Sequence, residues 1–351
     1  MQGSRRWWRR RGDAGTDTRQ QALAIQILSE LAELSPAELA AALAYVRQSR
    51  LPPVTTPRHS ARLSYEASTG EEVGVAPAPD RVASRGYRFL DRPLLRATPP
   101  DQADVVVRAL GPLKVEVGGR RVQSWSGSRV RTIFEYLLLH HAPVHRDVLM
   151  ELLWPGYPRS SARNNLNVSM YGLRRALDLD GDRDYVVHRE GRYVLNPDLA
   201  WSVDFARFTQ AVQESQVADA SGRPAAALVH AQLAIQEYRG DLFEDDSSAD
   251  WCDNERATLA DMFAQTLELQ AELFLDRGDV DAAQRAAQRL IDQDGCRESA
   301  HRLLMTCHAR RNQRDQIVRQ YRRCVTKLHD ELDVAPSTET VRLFQQLTES
   351  R

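Results

Sequence analysis

The stretch Ser160-Ser161-Ala162-Arg163-Asn164-Asn165-Leu166-Asn167-Val168-Ser169-Met170-Tyr171-Gly172-Leu173-Arg174-Arg175-Ala176-Leu177 has two chemically different faces when wound as a helix of ~3.6 residues per turn. Leu166, Met170, Leu173 and Leu177 recur at i, i+4, i+7 and i+11 and stack on one side, which predicts a stripe packed inward. Asn164, Asn167, Tyr171, Arg174 and Arg175 occupy the opposite arc. Amide and guanidinium groups pair bidentately with adenine and guanine edges or clamp phosphates, so this arc suits a helix that recognises duplex DNA. An amphipathic helix with a merely solvated polar face has the same periodicity, and the neighbouring segments must decide between the two.

Upstream, the pattern is that of strands from Val105. Leu113, Val115 and Val117 alternate with Lys114 and Glu116, and Gly118-Gly119 supplies the positive φ angles of a two-residue hairpin turn before Arg120-Arg121-Val122. A helix follows over about Ser128 to His141, with Ile133, Tyr136, Leu137 and Leu138 expected inward. Another follows over about Arg146 to Leu153, with Val148, Leu149 and Leu152 expected inward. Downstream, Tyr185-Val186-Val187-His188-Arg189 and Arg192-Tyr193-Val194-Leu195 flank Glu190-Gly191, a second hairpin signal. Strands, three helices and a closing hairpin make a winged helix-turn-helix over residues 104–204.

Beyond Asp204 the pattern is helical, and it repeats at a period of about 34 residues. Gly278-Asp279-Val280-Asp281-Ala282-Ala283 and Asn312-Gln313-Arg314-Asp315-Gln316-Ile317 fall in equivalent turns, Gly222-Arg223-Pro224 looks like an earlier start, and Tyr321 and Leu328 are expected to pack after the last turn. That period suits tetratricopeptide-like hairpins over 205–351, which bury their faces only by stacking and offer a surface to other proteins. Ahead of both units, residues 1–103 form an N-terminal extension. Ala22 to Leu34 and the segment after Ser35-Pro36 predict a helix pair within about 20–50, and a Pro-rich linker runs from Pro52 to Ala103. The expected fold is therefore mainly α: a winged helix of α+β type, then an all-α repeat domain, with a helical and linker extension in front.

Composition narrows the function classes. The 351 residues are 42% hydrophobic and 27% charged, as in globular proteins, and no apolar run approaches the ~18 residues of a membrane span. Arg5-Arg6-Trp7-Trp8-Arg9-Arg10-Arg11 is followed by no apolar stretch of a secretion signal, which points to a bacterial cytoplasm and to a disordered terminus rather than a base-stacking one. The net charge of −1 divides unevenly: +4 over 1–103, +2 over 104–204 and −7 over 205–351. The positive charge that a nucleic-acid binder needs would then be local. Cys252, Cys296, Cys307 and Cys324 match no zinc or redox spacing and are expected to be buried thiols. Neither Cys307 with His308 nor His140 with His141 forms a metal pair, since adjacent helical residues diverge. No phosphate-binding glycine loop occurs, and no cofactor is expected.

A winged helix running directly into such repeats resembles the Streptomyces antibiotic regulatory protein (SARP) group of bacterial transcriptional activators, over residues 105–349. The likeness rests on Leu152-Leu153-Trp154-Pro155, Ala162-Arg163-Asn164-Asn165-Leu166, Leu173-Arg174-Arg175-Ala176-Leu177 and Gly191-Arg192-Tyr193-Val194-Leu195-Asn196. In the second half it rests on Tyr238-Arg239-Gly240-Asp241-Leu242-Phe243, on Arg297 to Met305 and on Glu331-Leu332-Asp333-Val334-Ala335-Pro336-Ser337-Thr338-Glu339-Thr340, as in bacterial transcriptional activator domains. The resemblance implies an OmpR-type winged helix on repeated sites in double-stranded promoter DNA. It also implies a helical domain that supports a homodimer or tandem assembly and contacts RNA polymerase holoenzyme. Departures are the roughly 100 residues ahead of the winged helix and Gly295, which stands where a proline is usual.

On this reading Asn164, Asn167 and Tyr171 face base edges, and Arg163, Arg174 and Arg175 meet phosphates or guanine. His188, Arg189 and Arg192 of the wing touch the neighbouring backbone or minor groove. Arg175 could instead pair with Asp178 or Asp180, and Trp154 is expected in the core. Asp241, Glu244, Asp245 and Asp246 look like a solvated acidic loop; with no nucleophile or base beside them, no catalysis is expected. The alternatives are a repeat-type scaffold or signalling protein whose winged helix is an interaction platform, and a repressor on the same fold.

Overall fold

The computed structural model describes residues 98–178, 181, 183–246 and 250–349. The expected helix pair at 20–50, the Pro-rich stretch up to 97, Arg5 to Arg11 and the alternative partner Asp180 lie outside the described residues.

After a 3-10 turn at Pro100–Gln102, strands β1 (Val105–Arg108), β2 (Lys114–Val117) and β3 (Arg120–Arg121) form an antiparallel meander. The β2–β3 turn takes φ of 54° at Gly118 and 77° at Gly119, the doubly left-handed geometry that suits a two-residue hairpin and that glycine adopts without strain. Helix α1 (Ser128–His140) comes next, then β4 (Val144–His145), α2 (Arg146–Leu153) and α3 (Arg159–Leu177). Strands β5 (Val186–Arg189) and β6 (Arg192–Leu195) make the closing hairpin, and β7 (Trp201–Val203) leads without a break into the helical half.

Two short strands complete sheets that the hydrophobic pattern only half showed. β7 pairs in parallel with β1, giving the order β3-β2-β1-β7 and closing the first sheet across the whole three-helix unit. β4 adds to the hairpin in the order β4-β6-β5, so the wing is three-stranded. Strands of two and three residues are too short to show an alternation.

Of α1, Ile133, Leu137 and Leu138 are buried as expected, while Tyr136 is only half-buried and Phe134 is buried instead; the expected stripe Leu166, Met170, Leu173 and Leu177 of α3 is buried. The expectation for α2 needs correcting: Val148 is 45% exposed, and Leu149 and Met150 carry the burial. An eight-residue helix offers about two turns, too few for periodicity to fix the inward face.

The helical half comprises α4 (Asp204–Ala220), α5 (Pro224–Glu237), α6 (Asp253–Asp276), α7 (Val280–Gln293), α8 (Glu298–Arg310), α9 (Arg314–Leu332) and α10 (Thr338–Glu349). Successive helices pack pairwise, α4 on α5, α6 on α7 and α8 on α9. Gly222, Gly278 and Asn312 hold equivalent turns, all left-handed at φ of 69°, 77° and 56°. Asparagine tolerates that region better than other non-glycine residues, which is why the degenerate copy still folds. The last two turns are 34 residues apart and the first two 56, because residues 238–252 form a longer connection between α5 and α6 and because α6, at 24 residues, is longer than the 13-residue α8. Tyr321 stacks on Phe344 of α10 with ring centroids 4.0 Å apart, and Leu328 is buried.

Residues 238–246 and 250–252 dock on the winged helix, and the expected solvated acidic loop is in fact a seam. Gly111 N–H donates to the Asp241 carbonyl at 2.9 Å, and Phe243 N–H to the Ala109 carbonyl at 2.8 Å. Arg131 of α1 grips the Asp245 carboxylate through both terminal nitrogens at 2.9 and 2.6 Å, and Leu113 N–H donates to the same carboxylate at 3.0 Å. The fully buried Asp204 accepts from Ala109 and Leu110 N–H, so the first residue of α4 satisfies backbone that the end of β1 leaves unpaired. Trp251 sits between Tyr136 and Phe243, with ring centroids 5.2 and 6.2 Å away. One buried apolar cluster runs from Val105 to Ala300 through both halves. The acidic run reads as solvated in sequence because its basic partner, Arg131, lies 114 positions away.

Of the expected buried thiols, Cys252, Cys307 and Cys324 are buried; Cys296 is half-buried, with its Sγ 3.2 Å from Glu331 Oε2.

Candidate nucleic-acid interface

Helix α3 lies in the helix-turn-helix position, following α2 across the turn Trp154 to Pro158. Its buried stripe packs toward α1, and Gly172 makes that approach close. A Cβ there would sit 3.3 Å from both Ser126 Cβ and Val130 Cγ2. The side turned away from the core is then fixed by the 3.6-residue period. Arg163, Asn164, Asn167, Tyr171 and Arg175 are exposed on it, and none has a hydrogen-bond or ion-pair partner among the described residues.

Arg174 differs. It is half-buried, and one terminal nitrogen donates to the Val186 carbonyl at 3.3 Å, tying α3 to strand β5 of the wing. The wing is held at its other edge as well, where Arg146 N–H donates to the Gly191 carbonyl at 2.9 Å. The turn residues Glu190 and Gly191 have φ of 49° and 75°, which brings Arg189 and Arg192 side by side across the hairpin. His188 stacks on Tyr193 with centroids 4.4 Å apart, and Arg192 donates to the Pro143 carbonyl at 3.5 Å. His188, Arg189 and Arg192 are all exposed. The nine residues singled out in the sequence thus lie on α3 and on the wing that Arg174 ties to it.

Two features of this face escaped the sequence reading. Val168, 71% exposed, sits amid the polar stripe beside Asn164, Tyr171 and Arg175. Its signal was visible, since an apolar residue in the middle of a polar arc has no packing role. The second is a cavity of about 300 Å³ between α1 and α3, lined by Ser126, Ser128, Arg129, Trp154, Asn165 and Ser169. The uncapped N-terminus of α1 opens there, and the Arg129 guanidinium lies 5.4 Å from the centre of the Trp154 ring. Trp154 is 3% exposed as expected for a core residue, yet its indole N–H has no acceptor among the described residues. A helix N-terminus, a guanidinium, hydroxyls and an unspent N–H together favour an oxyanion. No spacing in the chain brings Ser126 near Asn165, so only folding reveals this site.

Residues 203–348 match the family model of the bacterial transcriptional activator domain. The helical half is thus similar to the activator domain of SARP-type regulators. Its relatives include the transcriptional regulatory protein EmbR of Mycobacterium tuberculosis, 26% identical over 232 residues, which make up 65% of this chain and 59% of EmbR. The match therefore spans less than two thirds of EmbR. The transcriptional regulatory protein MoaR1 of Mycobacterium tuberculosis is 24% identical over 247 residues, 69% of this chain and 79% of MoaR1. The solved structure of Mycobacterium tuberculosis EmbR in complex with a low affinity phosphopeptide has the same fold, with a TM-score of 0.61 over 71% of this chain and 65% of that one, at 24% identity. Among the described residues no helix is long and apolar enough to cross a membrane, and no group of three or more His, Cys, Asp or Glu could hold a metal ion.

Proposed function

We propose that the chain is a sequence-specific DNA-binding regulator of transcription, an activator that lays α3 in the major groove of repeated promoter sites. Residues 104–204 bind DNA, and residues 205–351 contact RNA polymerase and support a homodimer or tandem assembly. It works in the cytoplasm and performs no catalysis. The observation that carries this reading is the exposed stripe Asn164, Asn167, Val168, Tyr171 and Arg175, partnerless among the described residues and opposite a fully buried stripe on the same helix. Asn164, Asn167 and Tyr171 address base edges, with amides suited to adenine. Val168 offers an apolar contact to a thymine methyl group. Arg163, Arg175, Arg189, Arg192 and His188 meet phosphates or the adjoining groove, and the Arg129–Trp154 cavity receives one phosphate of the same backbone. Arg174 holds the wing in register with α3 and so serves binding through position.

The test is binding of the full chain to its preferred duplex. Asn167→Ala and Tyr171→Ala should each weaken specific binding ~10-fold or more, about 1 to 3 kcal/mol per base contact, with the thermal unfolding midpoint unchanged. Unaltered specificity in both variants would remove the assignment of α3. In a promoter assay, activation should be lost when surface charges of the helical half are altered while DNA occupancy persists. Repression retained under the same changes would point to simple occlusion instead.

A further inference from the structure

Helix α7 carries two cations that the rest of its domain does not balance. In the helical half, Arg207, Arg297, Arg302 and Arg311 each hold a carboxylate of another helix: Glu237, Glu268, Glu339 and Asp281 respectively. Arg285 and Arg289 have no such carboxylate among the described residues, although the 205–351 segment has a net charge of −7. At i and i+4 they share one face of α7. Both line a cavity of about 160 Å³ in the groove between α5 and α7, with Leu267 and Phe274 of α6 as its apolar floor. Two amides join them: Gln270 Nε2 donates to Gln232 Oε1 at 2.9 Å, which orients the pair and leaves the Gln232 N–H₂ to donate elsewhere. The Arg289 guanidinium stands 5.1 Å from the centre of the Phe263 ring, and burial lowers its pKa. Both side chains are exposed on the rim of the groove, so an incoming anion can reach them and would form charge-assisted bonds there.

We propose that this groove is a binding site for an acidic peptide segment of a partner protein, which places one carboxylate side chain between Arg285 and Arg289. Size and lining select the ligand. A cavity of about 160 Å³ admits one side chain and falls short of the ~300 Å³ at which small-molecule pockets begin. Planar guanidinium forks match a carboxylate bidentately, and the apolar floor suits the stem of a glutamate and an apolar neighbour. The groove lies on the repeat domain, away from α3 and the wing, so the site does not depend on the DNA-binding reading.

The test is selection of random dodecapeptides on the immobilised full chain, beside the same selection on Arg285→Gln/Arg289→Gln. Enrichment of peptides with an Asp or Glu at a fixed place next to an apolar residue is expected on the wild-type chain only. Those peptides should bind the double variant at least ~10-fold more weakly, while its unfolding midpoint and DNA affinity stay unchanged. Peptides without a fixed acid, or equal enrichment on both proteins, would overturn the proposal. Displacement of the selected peptide by free succinate at comparable concentration would also overturn it, by giving the site to a small dicarboxylate.

Discussion

Glu135 is fully buried beneath Arg131, which spans from it at 2.7 Å to Asp245 in the other half of the molecule. Loss of solvation pushes its carboxyl up to about 7; Arg131 opposes the rise and Asp246 adds to it. The folded state therefore holds a proton on Glu135 that the unfolded chain releases near 4.5. The contribution to stability is fully present below pH ~4.5 and is lost as pH rises through 7, by at most about 3 kcal/mol. In urea unfolding followed from pH 5 to 8, Glu135→Gln should remove most of a decline that the wild-type chain shows. Parallel pH profiles for the two proteins would contradict the assignment. At the same scale Arg163 is exposed and partnerless among the described residues. If it meets a phosphate, Arg163→Ala should weaken DNA binding similarly on all sequences and reduce the salt slope of log K by ~0.9. A loss confined to one base position would make it a guanine reader instead. The residue scale is where sequence reasoning was weakest for the seam and strongest for α3. Asn164, Asn167, Tyr171 and Arg175 declare their face by spacing alone. Asp245 declares nothing until Arg131 is brought to it, and Arg174 gave no sign of its bond to Val186.

Among the elements, α3 was legible because 19 residues give about five turns of period, enough to define both faces. The two glycine hairpin turns were legible for a different reason, since paired positive φ angles demand particular residues. β4 and β7 were not, being two and three residues long and defined only by the strands they join. The contact of α3 with α1 depends on Gly172, where a Cβ would already press Ser126 and Val130. Gly172→Leu should lower stability by about 1 to 3 kcal/mol and weaken DNA binding along with it, because α3 must shift to relieve the overlap. Unchanged unfolding would show that α1 and α3 are less tightly apposed. The seam has its own glycine: a Cβ on Gly240 would overlap Glu244 Oε2 and come within 3.1 Å of Gly111 Cα. Limited proteolysis of Gly240→Ala should cut between residues 238 and 246, where the wild-type chain should resist.

Over the whole molecule, the seam turns two recognisable units into one packed body. A winged helix and a repeat array suggest a linker between them, yet β7 runs straight into α4 and a single core spans both. The residues of the family resemblance gain a physical reason at this scale. Tyr238 to Phe243 opens the docking segment, and its Leu242 bridges to Leu110 and Gly111. Arg297 to Met305 meets the stretch ending at Thr340 through Glu298, which accepts from Ser337 N–H at 2.9 Å and from its hydroxyl at 2.8 Å, seating α10 on α8. Motifs far apart in the chain are thus two sides of the same contacts. The docked repeat array then keeps a fixed bearing relative to α3, which the proposed division of labour, DNA on one unit and polymerase on the other, would require.

The measurement that tests this account most directly is selection of bound sequences from random duplex DNA by the full chain, repeated with Asn167→Ala and across salt concentrations. The account predicts a directly repeated motif for the wild-type chain, and for the variant a loss of preference at one position of each repeat with little change in salt slope. Salt-sensitive binding with no enriched motif from a folded wild-type chain, or the same motif from both proteins, would contradict it.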